Sequence, residues 1–134
     1  MQHADRSGKE LAILLLDINR FKLVNESLGH ELGDELLRLV AGRLKSALRK
    51  TDTVIRMGND EFIVIAEHIR QTDDVRQIAA NLLNTLSQTV RLGHHDISIS
   101  VSMGCSLYPK NASDIDTLLK FADIAKTDAK KAGS

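Results

Sequence analysis

The sequence predicts an α+β fold, with helices packed on a central, mostly antiparallel sheet. Three observations lead there. Residues 11–16 are continuously apolar and stop abruptly at Asp17-Ile18-Asn19; two pairs of β-rich runs are joined by turn residues; and the segments between them carry apolar side chains at three- and four-residue spacing.

Taken in order, residues 11–16 form a short central strand, since a strand buried on both faces has no polar alternation. A short helix is expected over 20–27, broken at Gly29. A longer one follows over 31–49, placing Leu36, Leu37, Val40, Leu44, Ala47 and Leu48 on one face. Residues 53–57 and 61–66 pair as a hairpin across Gly58-Asn59-Asp60, where Gly at the first central position suits a type II′ turn. A helix over 72–87 buries Val75, Ile78, Ala79, Leu82 and Leu86. A second hairpin joins 88–92 to a long strand over 97–107 through Gly93-His94-His95-Asp96. Ser113 and Asp116 form a capping pair for the last helix, whose buried stripe is Ile115, Leu118, Leu119, Ala122 and Ala125. The order β-α-α-β-β-α-β-β-α fits the split palm of nucleotide cyclases and polymerases. No Gly-rich turn follows the first strand, which disfavours a Rossmann fold.

The 134 residues are the size of one domain, read as spanning 1–134. Lys+Arg and Asp+Glu both count 18, a balance that argues against a broad basic face for duplex nucleic acid. Aromatic residues make up 3%, too few for stacking along a single strand. Cys105 is the single cysteine and, within an apolar run with no base nearby, reads as a buried thiol in a reducing compartment. No apolar stretch approaches the ~20 residues of a membrane span, and residues 1–10 lack the apolar core of a signal peptide. The expectation is a soluble, cytoplasmic chain without membrane contact by this segment.

Chemistry collects where strands end. Asp17 closes the first strand, and Asp60 and Glu61 lie on the hairpin turn. If those strands are neighbours, Asp17 and Asp60 share a rim, and paired carboxylates beside a phosphate select Mg²⁺. The segment Asn19-Arg20-Phe21-Lys22 opens a helix whose N-terminal N–H groups suit a triphosphate. Together these make a site for phosphoryl transfer. Spacing alone equally allows Asp17 to cap the following helix and Asp60 to be a turn residue.

The run Leu16-Asp17-Ile18-Asn19-Arg20-Phe21-Lys22, with Asn25, Gly29-His30 and Gly33-Asp34 after it, precedes Arg56-x-Gly58-Asn59-Asp60-Glu61-Phe62. In this order and with these gaps, the two motifs resemble the GGDEF family of diguanylate cyclases over nearly the whole chain. The resemblance implies that Asp17, the backbone carbonyl of Ile18 and Asp60 bind Mg²⁺ or Mn²⁺. It implies that Asp60 and Glu61 assist deprotonation of the attacking 3′-hydroxyl, and that Asn25 and Asp34 hydrogen-bond guanine with His30 beside the nucleotide. Lys130 aligns with a phosphate-contacting lysine. Arg49-Lys50-Thr51-Asp52 has the RxxD form of the family's inhibitory cyclic di-GMP site, with Arg49 and Asp52 as its contacts. The implied partners are GTP, cyclic di-GMP as product or regulator, and a second copy of the domain.

Several residues depart from the family pattern. Asn59 stands at the second signature glycine, after Gly58; Asn19 stands where many relatives carry Asp; Lys126 and Thr127 replace Met and Tyr; and Ser134 replaces Arg. Two functions therefore stand side by side. One is a cyclase condensing two GTP to cyclic di-GMP. The other is a degenerate module whose bound GTP or cyclic di-GMP regulates an attached domain, such as an EAL phosphodiesterase. In both, the chain is expected to be part of a longer signalling protein.

Overall fold

Strand β1 (Glu10–Ile18) is central because nearly every side chain in it is apolar, so both of its faces can be covered. The computed structural model describes residues 10–57, 60–108 and 113–131, with backbone only for Thr72, Lys130 and Lys131. After β1 come helices α1 (Phe21–Leu28) and α2 (His30–Ala47). Strands β2 (Asp52–Met57) and β3 (Glu61–Ile69) follow, then helix α3 (Thr72–Leu86). Strands β4 (Val90–Leu92), β5 (His95–Ile97) and β6 (Val101–Tyr108) lead to helix α4 (Ile115–Lys131).

The main sheet has the order β2-β3-β1-β6, and every pairing in it is antiparallel. Alternate β1 residues divide between two cores. Ala12, Leu14, Leu16 and Ile18 join Phe62, Val64 and the apolar stripes of α2 and α3. Leu11 and Ile13 join Ile63, Tyr108 and Leu118 of α4 on the opposite face. The expected α2 stripe is buried at Leu36, Leu37, Val40 and Leu44, and the α3 stripe at Val75, Leu82 and Leu86. Helix α4 lies unusually close to β6. A Cβ on Gly104 would collide with the Ala122 carbonyl oxygen and the Lys126 backbone nitrogen, so only glycine fits beneath the helix.

Four expectations need correction. The long strand over 97–107 is two strands in different sheets: β5 pairs only with β4, while β6 pairs with β1. The chain leaves strand geometry at 98–100, where the Ser100 carbonyl accepts a bond from the Asn19 backbone N–H (2.9 Å). Pairing partners, not the continuous β propensity, decided that break. The turn before it is also shorter, since Leu92 pairs with His95, leaving Gly93 (φ 61°) and His94 between them. The Arg43 guanidinium ties the β4–β5 ribbon to α2 by donating to the carbonyls of Gln88 (2.7 Å) and Thr89 (3.0 Å).

The last helix is capped by Asp114, one residue beyond Ser113. Its carboxylate accepts from the Thr117 backbone N–H (2.9 Å) and hydroxyl, and these bonds hold the Asp114 pKa below the ordinary carboxylate value. Ile115, expected inside, is exposed, whereas Leu118 and Ala122 are buried. Among the described residues no helix is long and apolar enough to cross a membrane.

Candidate functional site

Antiparallel pairing of β1 with β3 puts Asp17 opposite Glu61, and pairing with β6 puts Asp17 opposite Ser102. Met57 of β2 completes the row beyond Glu61. Cross-strand neighbours lie on one face, so the carboxylates of Asp17 and Glu61 share the face that α4 covers. The Ile18 backbone N–H donates to the Asp60 carbonyl (3.0 Å), which ties Asp60 to the end of β1. The expected neighbourhood of Asp17, Ile18, Asp60 and Glu61 is therefore present at one rim of the sheet. Asp17 is 6% exposed, Asp60 is half-buried and Glu61 is exposed. Phe62 anchors the turn from the other face, in the main core. Gly58 and Asn59 lie outside the described residues.

The N-cap of α1 is Arg20 in a left-handed conformation (φ 60°), with no side-chain capping bond at that position. Asn19 is instead a clamp: its amide donates to the Ser100 hydroxyl (2.9 Å) and its carbonyl oxygen accepts from the Ser102 hydroxyl (2.8 Å). Ser100 and Ser102 carried no sequence signal, because their role exists only once β6 returns beside β1.

Asn25 packs on α2 at Gly33. A Cβ on Gly33 would overlap the Asn25 side chain, so the glycine lets the α1–α2 turn close. The Asn25 side-chain oxygen is buried and has no hydrogen-bond partner among the described residues. Buried polar atoms are nearly always satisfied, so this one marks a place where a donor belongs. His30 and Asp34 begin α2 four residues apart, both exposed on one helix face. Lys130 is in α4, with its side chain outside the described residues.

Helix α4 adds a residue that the sequence signalled only as a departure. Lys126 is 5% exposed; its Nζ lies 3.7 Å from Glu61 Oε2 and 3.4 Å from Asp123 Oδ1. A lysine so buried needs carboxylate partners to offset its lost hydration.

Arg49 and Asp52 lie at the other end of the sheet, where Asp52 pairs with Ala66. Arg49 donates through Nε (3.1 Å) and Nη2 (2.8 Å) to the Asp52 carboxylate, and Nη2 also reaches the Glu67 carbonyl (2.9 Å). The Asp52 side chain is fully buried, while Arg49 is 43% exposed. The bond to Asp52 raises the Arg49 pKa, against the lowering caused by burial. Glu67 can accept because β3 bulges there: Glu10 pairs with Ile69 but Ala12 with Ala66, so Glu67 and His68 together face Leu11. His68 takes a positive φ (60°) in this bulge. An open cavity of about 480 Å³ adjoins it, lined by Arg49, Asp52, His68, Arg70, Asp74 and Asn81 among others. Burial raises the Cys105 pKa to about 11, which leaves little thiolate for chemistry.

No group of three or more His, Cys, Asp or Glu side chains arranged to hold a metal occurs among the described residues. The rim offers instead two aspartates and a backbone carbonyl. That donor set suits Mg²⁺, which takes one or two carboxylates and completes its shell with phosphate and water.

Known proteins place the chain in one group. The profile described as "Diguanylate cyclase, GGDEF domain" matches residues 1–134. MucR of Pseudomonas aeruginosa, a bifunctional diguanylate cyclase/cyclic di-GMP phosphodiesterase, is 38% identical over 133 residues, covering 99% of this chain and 19% of its own length. NbdA of the same organism, a cyclic di-GMP phosphodiesterase, is 36% identical, covering 94% of this chain and 16% of its own length. The chain thus spans about a fifth or less of these relatives. The crystal structure of the P. aeruginosa TpbB (YfiN) GGDEF domain superposes with a TM-score of 0.94 at 36% identity, covering 98% of this chain and 82% of that one. The palm-like sheet, the paired motifs and these relatives agree: the chain belongs to the GGDEF domain family of cyclic di-GMP signalling proteins.

Proposed function

We propose that this chain binds GTP with Mg²⁺, or Mn²⁺ in its place, at the rim formed by Asp17, Ile18 and Asp60. Facing a second copy, it condenses two GTP to cyclic di-GMP. The observation that carries this reading is the pairing of β1 with β3, which brings Asp17 and the Asp60-Glu61 turn to one rim. Asp17, the Ile18 carbonyl and Asp60 would hold the ion, which supplies positive charge to the triphosphate when bound. The uncapped start of α1 offers backbone N–H groups to the phosphates, and Lys130 adds a charge from α4. Asn25 and Asp34 accept from the guanine N1–H and N2–H₂ edge, with His30 beside the base. Each 3′-hydroxyl gives its proton toward Asp60 and Glu61 and attacks the α-phosphorus of the GTP in the partner copy. The bond to the leaving pyrophosphate breaks as the new phosphodiester forms. The domain works in the cytoplasm as a segment of a longer protein. Incubation with Mg²⁺ and GTP, followed by detection of cyclic di-GMP and pyrophosphate, tests the reaction.

Base selection has its own readout. GTP should bind at least tenfold more tightly than ATP, because each acceptor left unpaired by adenine costs about 1–3 kcal/mol. Asp34→Ala should reduce that preference with little change in the melting temperature, since Asp34 is exposed. Equal GTP and ATP affinities by calorimetry would remove Asn25 and Asp34 from the base site.

Cyclic di-GMP is assigned to the cavity beside Arg49 and Asp52. There Asp52 orients the guanidinium, whose exposed edge meets phosphate or guanine. Arg49→Ala should lower cyclic di-GMP affinity at least tenfold, as loss of a charge-assisted contact does, and leave GTP binding unchanged. Binding of cyclic di-GMP that is indifferent to this substitution would return the pair to a structural helix end.

A second reading, a regulatory module without turnover, is favoured by Asn59 in the signature turn and by the cation placed against Glu61. GTP or cyclic di-GMP binding without product distinguishes it.

A further inference from the structure

The rim contains a positive charge of its own. Lys126 projects from α4 onto the sheet face that carries Asp17, Glu61 and Ser102, and its ammonium lies against Glu61 and Asp123. Its position is fixed by the backbone, because Gly104 lets α4 settle onto β6 at Ala122 and Lys126. A side chain so deeply covered cannot swing away into water as a surface lysine does.

We propose that Lys126 is a resident counter-charge that holds Glu61 in an ion pair, keeps it out of the ligand set of the divalent ion and lowers the rim's affinity for that ion. The inference rests on the metal rim described under the proposed function. Two physical effects act together. Glu61 cannot turn toward a metal without leaving the buried ammonium with Asp123 as its one carboxylate partner among the described residues. The ammonium also repels a dication arriving at the same rim, a repulsion that water at the exposed carboxylates screens in part. Glu61 is about half exposed and Asp123 more so, so substitution of Glu61 leaves Lys126 one carboxylate and does not empty a core position.

Mn²⁺ titration followed by electron paramagnetic resonance, on the whole chain with a non-hydrolysable GTP analogue present, reads the effect without turnover. Glu61→Gln should change Mn²⁺ affinity less than about threefold. Lys126→Met should tighten Mn²⁺ by about tenfold through loss of the repelling charge. In the Lys126→Met background, Glu61→Gln should now weaken Mn²⁺ by about tenfold, a coupling that independent sites would not show. Asp17→Asn serves as the control, since it must lower Mn²⁺ affinity for the rim to be the metal site at all. If Asp17→Asn has no effect, the metal reading itself fails. If Asp17→Asn weakens Mn²⁺ and Glu61→Gln in the unmodified background also weakens it tenfold or more, Glu61 is a ligand and the proposal is overturned. That comparison decides the matter even where Lys126→Met fails to fold. Additive effects of the two substitutions overturn it as well.

Discussion

Asp17→Asn is expected to weaken Mg²⁺-dependent GTP binding by about a hundredfold or more, and to remove cyclic di-GMP formation wherever the unsubstituted chain supports it. The exchange keeps the shape of the side chain and deletes one negative charge and one strong oxygen ligand. Asp17 lies in a row with Ser102 and Glu61 and is almost fully covered. The fold should survive, because the apolar residues of β1 that build both cores are untouched. Calorimetry with and without Mg²⁺ separates the two contributions. GTP binding that was never Mg²⁺-dependent, or that persists in the asparagine variant, would show that the rim carboxylates serve the sheet and not the nucleotide.

Asn59→Gly is expected to raise cyclase activity about tenfold or more, given that misplacing a reacting group by ~1 Å can cost about a hundredfold. The comparison belongs in a longer chain that brings two copies together. Asp17, Asn25, Asp34, Asp60 and Glu61 are all present, so the side chain of Asn59 is the chief departure within the two motifs. Glycine accepts positive φ at least as readily as asparagine, so the turn should tolerate the change. Product that stays at background in a dimeric glycine variant, with GTP bound no better, transfers the fault to Asn19 or to Lys126 and favours the regulatory reading.

Much of this architecture was legible before any coordinates. The apolar run of β1 and the stripes of α2 and α3 carry strong local signals, and these three elements formed within a few residues of their expected bounds. The segment at 97–107 misled because it is β-favouring throughout, while its break depends on which strand each half meets. The same limit applies at the site. The sequence motifs supplied Asp17, Asp60 and Glu61, but the Asn19 clamp needs Ser100 and Ser102, some eighty residues away. Lys126 showed in the sequence as an unusual residue. Its contact with Glu61 follows from the close approach of α4 at Gly104, and helix-to-sheet distance is not written in either segment alone.

Strand β2 has the proportions of a ruler. Its six residues span roughly 17 Å at the usual rise per residue. Asp52, with its grip on Arg49, stands at one end, and Met57, beside Glu61 and the signature turn, stands at the other. The two ends therefore lie well apart on one strand. A ligand held at the Arg49 end would be felt at the Met57 end through tilt or displacement of the strand. Sliding by one residue would turn Val54, now packed against the main core, to the opposite face of the sheet. Strand β2 lies at one edge of the sheet with β3 as its one strand partner, and it lacks the close helix contact that holds β6 at the other edge through Gly104, so it can tilt at lower cost.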